Sequence, residues 1–176
     1  MSILKVDAIQ SRGSSDSAIT FSGGFVTPRS VIMQVNANNT DQTISAATIT
    51  KVQWENVEID TINGWDATNH RYTPSVGGYY LVGGILRGSF SNVIERTRMY
   101  IGKNGANTNT TDALQLAYQF NSDIIINSSV PLPTGLLELN GSGDYLEVFF
   151  EAEEETQLHD SDFGKSYFFA TLVHAT

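Results

Sequence analysis

The sequence contains no cysteine. Disulfides, a thiolate nucleophile and a cysteine zinc site are therefore excluded, although this does not fix the compartment. Positive charge is scarce: ten Lys plus Arg stand against nineteen Asp plus Glu, for a formal net charge of -9. With no basic cluster, a nucleic-acid phosphate backbone or an anionic lipid surface is not an expected partner. No apolar run approaches the roughly 20 residues of a membrane-spanning helix, so no membrane insertion is expected. The N-terminal stretch MSILKVDAIQSRGSSDS lacks a basic region followed by a long apolar core, so no secretory signal is expected. Amphipathic helical periodicity sustained over three turns is also missing.

Short strands fill the space. Thr, Val, Ile, Tyr and Phe alternate with polar residues, and Gly, Asn, Asp, Ser and Pro punctuate the runs. ALQLAYQF puts Leu114, Leu116, Tyr118 and Phe120 on one face and Gln115 and Gln119 on the other. DYLEVFFEAE puts Leu146, Val148, Phe150 and Ala152 on one face, with Glu147 and Glu151 flanking Phe149 on the other. RTRMYIGKNG alternates Met99 and Ile101 against Arg98 and Tyr100, then ends in Asn104-Gly105, a hairpin-turn signal. The spacing predicts an all-β sandwich or barrel. Residues 1–24 are too short and polar to build a core and read as an extended arm or a partly disordered terminus; residues 25–176 read as the domain.

One run breaks the alternation. In YYLVGGILRGSF, both the even set (Tyr80, Val82, Leu86, Phe90) and the odd set (Tyr79, Leu81, Ile85) are largely apolar. YFFATLVHAT repeats this, with Tyr167, Phe169 and Val173 on one face and Phe168, Ala170 and Leu172 on the other. A sandwich strand with one wet face alternates cleanly. The second apolar face therefore fills a subunit interface or lies under a covering loop. Gly83 and Gly84 mark close approach of another backbone or a large aromatic ring. Tyr79, Leu81, Ile85, Phe169 and Val173 are the candidate interface residues.

The same residues carry a resemblance to the globular heads of the complement and tumour-necrosis-factor (TNF) superfamily. Trp65, Tyr72, Thr73, Pro74, Gly78, Tyr79 and Tyr80 match its signature. Lys103, Asn104 and Gly105 resemble its strand ending in Lys-Asn-Gly. Leu137, Leu139, Gly143, Asp144 and Tyr145 resemble its Leu-x-Leu, spacer, Gly-Asp strand. Ser161 and Phe163 resemble its closing Ser-x-Phe-x-Gly, although Gly164 here follows Phe163 directly. The resemblance covers roughly 31–175. It implies a ten-stranded antiparallel jelly roll that forms a homotrimer through its two-sided strands. No Gly-X-Y stalk precedes the domain, so complement-like or cytokine activity is not implied.

SILKVDAIQSRGSSDSAITF resembles the opening of many tailed-phage virion proteins. Together the two resemblances imply a non-enzymatic virion protein, on the capsid or in a tail fibre or spike. Lys5, Val6, Asp7, Ile9 and Gln10 would dock the arm on another virion protein by strand addition. The alternative is a receptor- or glycan-binding head, with Trp65, His70 and Arg71 as contacts. A cellular cytokine-like ligand is disfavoured by the missing signal.

No cofactor is expected. His70, His159 and His174 show no metal-ligand spacing, and no G-x-S-x-G elbow is present. Glu151, Glu153, Glu154, Glu155, Asp160 and Asp162 form either a calcium-binding rim or, the favoured reading, a solvated acidic loop. Glu95, Arg96 and Arg98 are candidates for inter-subunit ion pairs.

Overall fold

The computed structural model describes residues 30–38, 40–90, 96–108, 111–118, 126–159 and 165–176. The arm with Lys5 to Gln10 lies outside them, as do Glu95, Phe120, Asp160, Ser161, Asp162, Phe163 and Gly164. Every regular element among the described residues is a strand. In sequence order these are β1 (Ile32–Asn36), β2 (Gln42–Ile44), β3 (Thr50–Lys51), β4 (Asn56–Asp60), β5 (Trp65–Asp66), β6 (Arg71–Tyr72) and β7 (Gly78–Phe90). There follow β8 (Thr97–Lys103), β9 (Ala113–Tyr118), β10 (Ile126–Pro131), β11 (Gly135–Leu139), β12 (Leu146–Ala152), β13 (Thr156–His159) and β14 (Tyr167–Ala175).

They form two antiparallel sheets. The first runs β2–β13–β7–β14–β1–β4, with β10 and β11 following one another along the other edge of β7. The second runs β5–β6–β12–β8–β9, with β3 also paired to β12. Some segments are pieces of one interrupted strand. Between β10 and β11, Leu132 N–H still donates to the Gly84 carbonyl at 2.9 Å.

Alternation works as expected where one face is wet. Leu146, Val148, Phe150 and Ala152 are buried in the core, as are Met99 and Ile101 on β8; Leu114 and Leu116 pack against it from β9. On the outer face, Glu147 receives the Lys51 ammonium at 2.8 Å, and Glu151 receives the Arg98 guanidinium at 2.8 Å. Those pairs flank Phe149 and Tyr100, which face one another across β12 and β8 and are nearly buried. Asn104 and Gly105 both adopt positive φ (55° and 82°), and Ala106 N–H closes the turn onto the Lys103 carbonyl at 3.1 Å. The turn does not join two strands directly. The backbone runs on to Asp112, whose carbonyl accepts from Lys103 N–H at 2.7 Å, before β9 begins.

Between the sheets Trp54 stacks on Phe168 with centroids 6.3 Å apart, and Tyr72 meets Tyr80 edge-on, also at 6.3 Å. Both pairs are fully buried. Burial raises both phenols, Tyr80 to about 12, so they stay neutral.

Candidate assembly interface

Register decides which face of β7 meets the core. Tyr80, Val82 and Leu86 point inward with Phe168 and Ala170 of β14. Tyr79, Leu81 and Ile85 therefore point outward, because side chains on a strand alternate. On β14, Tyr167 pairs with Ile85, Phe169 with Gly83, and Thr171 with Leu81. On β11, Leu136 pairs with Leu81. On β1, Ile32 pairs with Thr171. These pairings lay Ile85, Tyr167, Phe169, Leu81, Leu136 and Tyr79 across one outer face. Val173 sits in the β14 bulge between Leu172 and His174.

Exposure singles out the same sheet. The large hydrophobics exposed among the described residues are Val57 43%, Ile59 43%, Tyr79 39%, Leu136 54% and Val173 59%, and all five stand on its strands. Scattered exposed apolar residues need no explanation; a concentration on one sheet does. Leu81, Ile85 and Phe169 are half-buried. All five residues expected at the interface thus belong to this sheet, with Tyr79, Leu81, Ile85 and Phe169 on its outer face. Leu136 is an addition to that set, because LELN-type alternation draws attention to Leu137 and Leu139. Adjacent leucines in a strand are the available signal.

The two glycines have an intramolecular cause. A Cβ on Gly84 would lie 2.1 Å from the Tyr167 carbonyl oxygen. One on Gly83 would lie 3.1 Å from the Phe169 ring and 2.8 Å from Thr134 Oγ1. The close neighbours are β14 and the Leu132–Thr134 connection of the same subunit, so the glycines do not themselves argue for a partner. The exposed apolar face does.

The face is not apolar throughout. Toward the other end of β7 the cross-strand row is Thr43, Gln157 and Ser89. There a shallow cleft of about 270 Å³ is lined by Thr43, Ser89, Glu155, Thr156 and Gln157. Among the described residues its lining offers hydroxyls, a carboxamide and a carboxylate.

The suggested ligand contacts are held within the subunit. Trp65 is half-buried against the core and its backbone N–H donates to Asp60 Oδ2 at 2.8 Å. His70 Nδ1 lies 3.2 Å from the Trp54 carbonyl. Arg71 stacks over the Tyr145 ring at 4.7 Å and pairs with Asp66 at 3.4 Å. Short β5 and β6 bring Trp65 opposite Tyr72 and Asp66 opposite Arg71. Arg96 and Arg98, candidates for inter-subunit pairs, have partners within one subunit: Arg96 binds Glu153 at 2.9 Å and Arg98 binds Glu151. Strands β8 and β12 run side by side, so these partners are cross-strand neighbours. Among the described residues no group of three or more His, Asp or Glu side chains is placed to hold a metal ion.

Two of the sequence motifs meet in space. Asn104 Nδ2 donates to Asp144 Oδ1 at 2.8 Å, and Tyr145 N–H donates to Asn104 Oδ1 at 3.0 Å. Asp144 Oδ2 also accepts from Asn140 N–H at 3.0 Å. The Asn104 hydrogen bond, helped by Asn140 N–H and the Lys103 ammonium, holds the Asp144 carboxyl below its ordinary 3.8, against the opposing effect of burial. A depressed carboxylate stabilises the fold above its unfolded pKa and loses that contribution as pH falls through the lower folded value. Asp144→Ala is expected to cost about 1–2 kcal/mol at neutral pH, the scale of charged hydrogen bonds. The gap from the parent should close in acid, below 3.8. Urea titrations across that range check it; a gap that persists unchanged would show the carboxylate charge to be irrelevant.

No protein family and no curated protein matches this protein in sequence. Solved structures do match. An Eiger TNF from S. frugiperda is similar with a TM-score of 0.61 and 16% identity, over 85% of this chain and 96% of that one. The fold is a TNF-like jelly roll. The globular domain of zebrafish complement 1qA matches this jelly roll with a TM-score of 0.56 and 17% identity, over 82% and 98% of the two chains. Murine APRIL matches with a TM-score of 0.59 and 16% identity, over 82% and 99%. At such identities the likeness speaks for the jelly roll alone, and nothing in it bears on the arm.

Proposed function

We propose that the protein is a non-enzymatic structural component of a phage virion, a homotrimeric TNF-like jelly roll anchored by its N-terminal arm on the capsid or tail. The observation that carries the assembly part is the apolar outer face of the β7 sheet, where Tyr79 and Leu136 stand exposed beside half-buried Leu81, Ile85 and Phe169. Three copies closing around an axis bury that face, and cyclic closure leaves no open contact. The virion part rests on the resemblance of residues 1–24 to phage virion openings. Trp65, His70 and Arg71 already have partners inside the subunit, so the glycan-head reading draws no support from them.

Native mass spectrometry of the full-length protein and of a variant lacking residues 1–24 tests assembly. The expected result is a salt-resistant trimer in both, since apolar contacts are not screened. A monomer in both sinks the trimer. A trimer only with the arm moves assembly to the N-terminus. Virion placement is checked by whether the full-length protein, and not the truncated one, co-sediments with particles.

A further inference from the structure

The sequence holds three Asn-Gly steps: Asn63-Gly64, Asn104-Gly105 and Asn140-Gly141. In such a step the glycine nitrogen, unshielded by a side chain, can attack the carboxamide carbon of the preceding asparagine. How fast depends on how freely that carboxamide moves. Asn104 is held at both of its terminal atoms, by Asp144 and by Tyr145 N–H. Asn140 Oδ1 accepts the N–H groups of Ser142, Gly143 and Asp144 at 2.9, 3.0 and 3.1 Å. Asn63 is exposed, and its carboxamide makes no hydrogen bond among the described residues.

We propose that Asn63 is a site of spontaneous deamidation in the folded protein, and that the fold protects Asn104 and Asn140. Solvent base removes the Gly64 amide proton, and the nitrogen bonds to Asn63 Cγ. The Cγ–Nδ2 bond breaks and ammonia leaves, closing a succinimide. Water then opens the ring at either carbonyl, giving aspartate or isoaspartate. The formal net charge moves from -9 to -10, by loss of one neutral amide.

Packing explains why so labile a step stands here. Asn63 has φ of 55°, a region asparagine tolerates better than most residues. A Cβ on Gly64 would lie 2.8 Å from both the Thr73 carbonyl and the Tyr72 ring. Product formation acts on a tight turn. Asp60 caps Ile62 N–H at 3.2 Å and Trp65 N–H at 2.8 Å across it. A new carboxylate repels Asp60, and isoaspartate lengthens the backbone between the two caps.

The test ages the folded full-length protein at mildly alkaline pH. Asp-N and tryptic peptide maps follow each amide, with isoaspartate methyltransferase labelling. Conversion at Asn63 is expected to run roughly tenfold or more ahead of Asn104 and Asn140, the factor that one or two hydrogen bonds impose. In urea the three rates should converge. Asp144→Ala should accelerate Asn104 and leave Asn63 unchanged. Equal rates in the folded protein, or the same ranking preserved in urea, would overturn the proposal.

Discussion

Replacing Tyr79 with Asp is expected to convert the proposed trimer to a monomer and leave the subunit folded. Tyr79 is 39% exposed on the outer face of β7, so the isolated subunit tolerates a carboxylate there. The trimer does not. Three carboxylates would be carried into a desolvated apolar contact, at an effective cost of several kcal/mol each when unpaired. Leu136→Asp, at a position 54% exposed on β11, should behave alike. Surface substitutions typically change subunit stability by about 0.5 kcal/mol or less, so far-UV circular dichroism and the urea midpoint of the monomer should barely move. The readout is native mass at micromolar concentration. A parent trimer that both variants preserve would place the interface on another face.

Gly84→Ala is expected to destabilise the subunit by about 3 kcal/mol or more, beyond ordinary overpacking. The added Cβ falls 2.1 Å from the Tyr167 carbonyl oxygen, 3.0 Å from Leu132 Cδ1 and 3.1 Å from Phe168 Cα. Two of these are backbone atoms of β14, which pairs with β7 along nearly its full length and cannot retreat without breaking that ladder. For a domain of this size the change lowers Tm by about 10 °C. Gly83→Ala should cost less, because its nearest neighbours are the Thr134 hydroxyl and the Phe169 ring, both able to rotate. Gly143→Ala, with nothing within 4 Å, serves as the neutral reference. Thermal melts of the three variants decide it. Equal effects at Gly83 and Gly84 would show that β14 moves readily and that the ladder is softer than its pairing suggests.

The outer and inner faces of β7 illustrate what a sequence can and cannot disclose. Both are apolar, so periodicity names the strand but cannot orient it. Orientation comes from its neighbours: Phe168 and Ala170 on β14 and Met33 and Val35 on β1 commit one face to the core. Asp144 and Asn104 are each visible as parts of motifs, but nothing in a local pattern joins residues forty positions apart. The sequence sets Arg96 and Arg98 beside Glu95, but their partners in the structure, Glu153 and Glu151, lie far along the sequence and yet next door in space.

The amino-acid sequence by itself determined that this protein is an all-β sandwich or barrel. A period of two that leaves one face apolar, interrupted by Gly, Asn, Asp and Pro, has few other ways to hide its apolar residues. It determined the Asn104-Gly105 turn as well, since positive φ at two successive positions strongly favours such residues. Only the tertiary structure decided which apolar face of β7 looks outward, why Gly84 admits no side chain, and which asparagine is left unrestrained. Those outcomes depend on register between strands distant in the sequence, and register is settled by the simultaneous packing of all of them.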